Sequence, residues 1–166
     1  MSDAIYATLG SVSSATLRTE DLIPAFIDAL DSVKDALSTS GNPENAKAVA
    51  ALDSLLGKIE RRSAKAGYFE SDRAQDDLES LTQELEAFAP PLTYFGSHEG
   101  DGADFGFWIS WDSISEAEHS GELIRVNAGD EWPESAADAE YVLEVTDHGN
   151  ATLFSALTKA EIWSIV

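Results

Sequence analysis

The chain has no cysteine among its 166 residues, which excludes disulfides, thiolate metal sites and a cysteine nucleophile, and favours an intracellular compartment. Positive charge is also scarce. Only 10 Lys and Arg stand against 31 Asp and Glu, for a formal net charge of -21. Such a field repels anionic lipid and the phosphate backbone, so direct nucleic-acid binding is not expected and a charged macromolecular partner should be basic. No stretch reaches the roughly 18 apolar residues that span a bilayer, and Met1–Leu9 lacks the basic and apolar regions of a signal peptide. Membrane insertion and secretion are therefore not expected, and the cytoplasm of a bacterial host is the expected location. What is present is a hydrophobic fraction of 43%, too high for a disordered acidic tail and sufficient for one core or two small subdomains.

The Pro90-Pro91 pair divides two kinds of pattern. Residues 1–90 carry 16 acidic and 8 basic side chains, net -8, and 91–166 carry 15 and 2, net -13. Before the prolines the apolar residues follow helical periodicity. Leu22, Phe26, Leu30, Val33 and Leu37 form one stripe, widened by Ile23 and Ile27. Thr19 is the expected cap, Glu20 and Asp21 suit the positive end of the helix dipole, and Pro24 falls early enough to be tolerated. A second helix is expected over 44–62 with Ala46, Val49, Leu52, Leu56 and Ile59 inward. A third is expected over 71–88, with Ala74, Leu78, Leu81, Leu85 and Phe88 inward, stopping before the prolines.

After the prolines, short β-rich runs alternate with Gly, Asp, Asn and Ser. Strands are expected at 92–95, 105–111, 123–126, 141–146, 151–157 and 161–166. Asp147-His148-Gly149-Asn150 holds the residues that hairpin turns use at positive φ, so the last three strands should form an antiparallel meander. The expected class is α+β: three N-terminal amphipathic helices packed with a C-terminal, mainly antiparallel β-sheet. The helical region is 1–90 and the β-rich region 91–166, as one compact unit or two small subdomains.

Few residues form a chemical motif. The loop Gly96–Asp104 carries His98 and three carboxylates, and glycines let backbone wrap a hard cation, but its spacing is not that of an EF-hand. It reads as a solvated β-connection. Asp147 and His148 form an acid-base pair only on paper, because no nucleophile elbow, zinc-protease helix, P-loop or dinucleotide fingerprint accompanies them. No catalytic residue, metal site or cofactor is assigned, and a metal-dependent hydrolase built on the 96–104 loop and His148 ranks last. His119 reads as a surface residue. Lys58, Arg61, Arg62 and Lys65 suit the negative end of the second helix, with a small anion or nucleic-acid patch, overwhelmed by the surrounding field, as the alternative. Phe105, Phe107, Trp108 and Trp111 read as core aromatics.

The distribution of carboxylates exceeds ordinary expectation. Asp72, Asp76, Asp77, Glu79, Glu84 and Glu86 crowd the third helix. Asp72, Asp76 and Glu79 follow at i+4 and i+3, where like charges destabilise an isolated helix by a few tenths of a kcal/mol per pair. A second group, Glu116, Glu118, Glu122, Asp130, Glu131, Glu134, Asp138 and Glu140, lies between the expected strands. Rows of carboxylates a few Å apart imitate DNA, which presents about one charge per 1.7 Å of duplex axis. A solubilising or salt-adapted surface is the competing reading. A homodimer would merge two such faces.

The segments Gly100–Trp108, Asp147–Leu153 and Glu161–Val166 resemble small uncharacterised acidic proteins of bacteriophages and mobile elements, most strongly in the C-terminal half, and Thr16–Phe26 has the same character. The resemblance implies a phage-type context, in which small acidic proteins antagonise host nucleic-acid-binding defence machinery such as CRISPR effectors or restriction enzymes. It carries no catalytic residue onto this chain. The function expected is a non-enzymatic inhibitor that binds a basic host protein by DNA mimicry; an acidic interaction or regulatory module without mimicry is the alternative.

Overall fold

In the computed structural model, which describes residues 4–165, the apolar spacing of the first half becomes three helices. The order is β1 (Gly10–Ser13), α1 (Thr19–Thr39), a 3-10 turn (Pro43–Asn45), α2 (Ala46–Ser63) and α3 (Asp72–Ala87). There follow β2 (Thr93–His98), β3 (Asp101–Ile109), α4 (Trp111–Ser120), β4 (Leu123–Asn127), a second 3-10 turn (Glu134–Ala137), β5 (Tyr141–Val145), β6 (Ala151–Ser155) and β7 (Glu161–Ile165). The fold is α+β with two sheets, ordered β1-β3-β2 and β4-β5-β6-β7. No helix among the described residues is long and apolar enough to cross a membrane.

The chain forms two compact units. One comprises the chain up to Ala89 together with Phe95–Trp108; the other comprises Pro90–Tyr94 and the chain from Ile109 onward. The prolines therefore do not divide helices from strands. The Phe95–Trp108 part of the β2–β3 hairpin belongs with the helices because its inward aromatics complete their core: Phe95 and Phe107 cluster with Leu22, Phe26, Leu30, Leu56, Ile59, Leu81 and Leu85. Phe95 meets Phe26 edge-on at 5.0 Å between ring centres and Phe107 at 4.9 Å. All seven expected core positions of α1 are buried, and α1 packs on α2, α3 and β1.

Local details depart from expectation where side chains have better partners. Thr19 does not cap α1; Arg18 occupies the cap position without a side-chain bond, and the Thr19 hydroxyl donates to the Phe69 carbonyl at 2.8 Å. Ala46 is exposed and Val49 half-buried, so the buried stripe of α2 begins at Leu52. Ser71 caps α3 as its hydroxyl accepts from Ala74 N–H. Strand β1, with the polar sequence Gly-Ser-Val-Ser, has no apolar alternation to announce it and exists through antiparallel pairing with β3.

In the second unit, β5, β6 and β7 form the expected antiparallel meander. Gly149, at φ +85°, makes the β5–β6 turn. The strand β4 runs parallel to β5, so this sheet is mixed. Residues 128–140 supply the long crossover a parallel pair requires, and they carry only a 3-10 turn, not a recognisable helix. The strand expected over 105–111 stops at Ile109. Trp111 instead opens α4, capped by the Ser110 hydroxyl, which accepts from Ser113 N–H, and closed by Gly121 at φ +83°.

Candidate functional site

Helical geometry sorts the carboxylates of α3. At about 100° per residue, Asp72, Asp76, Glu79 and Glu86 fall on one line, opposite the buried Ala74, Leu81 and Leu85. That line spans about 20 Å at roughly 1.5 Å per residue. All four are exposed; Glu84 is exposed too, but lies about 120° round the helix from Asp72, away from this line. Arg73 approaches Asp76 at 3.7 Å, Gln83 donates to Glu79 at 3.3 Å, and Glu86 accepts the Phe95 N–H.

Asp77 leaves this face. One hundred degrees beyond Asp76, its side chain is only 5% exposed. Its Oδ1 accepts from Arg62 Nη1 at 2.6 Å and its Oδ2 from the Tyr68 hydroxyl at 2.9 Å. Burial and the bond to Asp77 push the Tyr68 phenol well above its usual range, so it stays a donor. Sequence reasoning grouped Asp77 with the exposed carboxylates and missed its inward turn. The signal was the phase: Asp77 sits between Ala74 and Leu81 on the apolar side.

The second acidic group belongs to the second unit. Glu116, Glu122, Asp130, Glu131, Glu134, Asp138 and Glu140 are exposed. Glu118 is half-buried and neutralised, gripped by both Arg125 Nε at 2.6 Å and Nη2 at 3.0 Å. It therefore adds no net negative charge to a partner surface. Asp130 accepts from the Asn127 amide at 3.0 Å, and Glu140 from the Tyr141 hydroxyl at 2.7 Å. Asp112, exposed in the first turn of α4, joins Glu116 one turn on; sequence reasoning missed it because no helix was expected between the strands at 105–111 and 123–126.

The glycine-rich segment is a hairpin in which His98 ends β2 and Asp101 opens β3. The His98 ring packs edge-on against Trp108 at 4.7 Å, its Nδ1 accepts from Gly100 N–H, and Trp108 donates to the Gly96 carbonyl. These contacts brace the hairpin. Among the described residues, no three His, Asp or Glu side chains gather into a group that would hold a metal ion. His148 is exposed in the β5–β6 turn.

The cations of α2 are placed differently from the acids. Lys58, Arg61, Arg62 and Lys65 line an open concavity of about 460 Å³ at the C-terminal end of the helix. Arg62 is fixed there by Asp77, whereas Lys58, Arg61 and Lys65 have no ion pair among the described residues. A position toward the helix's negative end accounts for their tolerance, as expected from sequence.

Fold and surface define the class: an α+β protein with two separately organised acidic surfaces and one small cationic recess. No protein family, curated protein or solved structure that was compared matches the chain.

Proposed function

We propose that the protein is a non-enzymatic acidic inhibitor that occupies the nucleic-acid channel of a basic bacterial protein. The observation that carries this reading is the line Asp72, Asp76, Glu79 and Glu86 on the solvent side of α3. Its neighbours at i+3 and i+4 repel, so the row weakens the helix it decorates and calls for a reason outside folding. Regularly spaced negative charge offers electrostatic complementarity and fast steering to a groove built for phosphates. The resemblance to phage and mobile-element proteins supplies the class of target, a host defence protein such as a CRISPR effector or restriction enzyme.

The test is affinity capture from a nuclease-treated bacterial lysate, with the native chain beside Asp72→Asn/Asp76→Asn/Glu79→Gln and a charge-matched unrelated protein. A nucleic-acid-binding protein retained only by the native chain, released by salt and displaced by DNA, is the expected result. Partners shared with the control, or captured equally by the variant, would refute mimicry through α3.

A second reading, an interaction or regulatory module without mimicry, draws on Trp111, which is 46% exposed at the start of α4. Tryptophan anchors binding energy well beyond its frequency on surfaces. Capture that survives about 0.5 M salt, where screening leaves only a few Å of electrostatic reach, and that fails with Trp111→Ala would select it.

A further inference from the structure

Four of the ten cations in the chain fall within residues 58–65, and together they line one recess of about 460 Å³. Lys58, Arg61, Arg62 and Lys65 repeat at i+3 and i+4, so they share one side of the chain. Glu60, the only carboxylate in that stretch, falls on another side. The interaction with the helix dipole favours cations here, but four like charges at these spacings also repel one another. Gly57 adds a second departure from good helix chemistry. An interior glycine weakens a helix, and a Cβ at this position would stand 3.3 Å from Arg61 Nη1, so its absence leaves the guanidinium room to lie against the backbone.

Arg62 gives the recess a fixed point. Its Nη1 is held by the buried Asp77, whose other oxygen is held by Tyr68, while its remaining N–H groups have no partner among the described residues. A preorganised guanidinium flanked by three cations without ion partners is a receptor for several phosphate oxygens.

We propose that this recess binds a small anion built of two or more linked phosphoryl groups. Its volume lies in the range of small-molecule sites, and no aromatic ring among the described residues lines it, so the recognised group is the phosphate chain. Three cations beyond the Arg62–Asp77 pair match the charge of a di- or triphosphate. A nucleic acid fits less well. Electrostatic reach at physiological salt is about 8 Å, and a longer polyanion would extend from the recess over a chain whose net charge is -21 even with these cations counted.

Calorimetric titration of the full chain with sodium tripolyphosphate tests this. One saturable site is expected, with a Kd below about 1 mM. Lys58→Gln/Arg61→Gln/Lys65→Gln should weaken it by at least about tenfold with the circular dichroism spectrum unchanged. Lys65→Gln alone, beyond the end of the helix, should weaken binding several-fold and keeps the test open if the triple variant misfolds. AMP should bind more weakly than tripolyphosphate. ATP equal to tripolyphosphate identifies the phosphate chain itself as sufficient, and ATP bound more tightly identifies a nucleoside polyphosphate; both support the site. The absence of a saturable heat, binding that is indifferent to Lys65→Gln, or tighter binding of a short single-stranded oligonucleotide would overturn it.

Discussion

Arg62 donates to Asp77 across 2.6 Å, tying the last turn of α2 to α3, yet the two residues are unequally placed. The Asp77 side chain is 5% exposed and that of Arg62 is 36% exposed. If the pair is broken, the guanidinium can turn to water, whereas the carboxylate stays behind with Tyr68 as its remaining partner. The pair therefore matters chiefly through what its loss would strand.

That asymmetry sets the expected result of a double-mutant cycle. Arg62→Met should lower stability by about 3 kcal/mol, since it leaves a buried charge without its counter-ion. Adding Asp77→Asn removes that charge while keeping an acceptor for the Tyr68 hydroxyl, and should recover much of the loss. Urea unfolding reads both values, and additive losses would show that the two residues do not act as a pair.

Stability at alkaline pH follows from two raised pKa values. Burial and the bond to Asp77 raise that of Tyr68; Lys34, on α1, is raised by hydrogen bonds to Asp31 at 2.6 Å and to Asp53 of α2 at 2.9 Å. Above about pH 10 the unfolded chain releases these protons first and so binds fewer than the native state. Their contribution is complete below that pH and is lost as pH climbs through the folded values. Urea midpoints should fall above about pH 10, and Tyr68→Phe and Lys34→Gln should each make the fall shallower. Alkaline profiles parallel to the native one in both variants would remove these groups as its cause.

The helices of the first unit were legible because residues such as Phe26, Leu30, Leu56 and Leu81 repeat at the helical period and are buried. Their partner sheet was not. Strand β1 has no apolar pattern of its own, and Phe95 and Phe107 look equally at home in either unit until the core they fill is seen. Helix α4 buries only Ile114 and Ala117 among polar neighbours, too thin a stripe to outweigh the aromatic run before it. Among the candidate residues, exposure was readable for Asp72, Asp76 and Glu79. The phase of Asp77 on α3 was legible, but its partners Arg62 and Tyr68, like the Arg125 clamp on Glu118, are tertiary contacts that spacing alone does not specify.

Charge at the end of α3 separates stability from binding. Its last turn has no cation to meet the negative end of the dipole, and Glu84 has no partner among the described residues. Glu84→Lys should therefore stabilise the chain by up to about 1 kcal/mol at low ionic strength, a gain that fades toward 1 M salt. If the acidic face of α3 meets a basic partner, the same change should weaken its capture. A gain in thermal stability with unaltered capture would exclude Glu84 from that surface.

Gly106 tests whether β1 is held by close backbone approach. It pairs with Ser11 across the β1–β3 ladder, and a Cβ there would stand 2.2 Å from the Gly10 carbonyl oxygen and 2.9 Å from Ser11 Cα. These are main-chain atoms, so no rotamer change relieves the clash. Gly106→Ala should cost about 1–3 kcal/mol and raise hydrogen exchange along β1. Gly102, on the same strand, has nothing within 4 Å of its would-be Cβ, so Gly102→Ala should stay within about 0.5 kcal/mol of the native chain. The contrast isolates the contact from any general penalty for altering glycine in β3. Equally small effects at the two positions would mean that β1 yields at Gly10 without cost and that its pairing is set elsewhere along the strand, and equally large ones would mean a general penalty for altering glycine in β3.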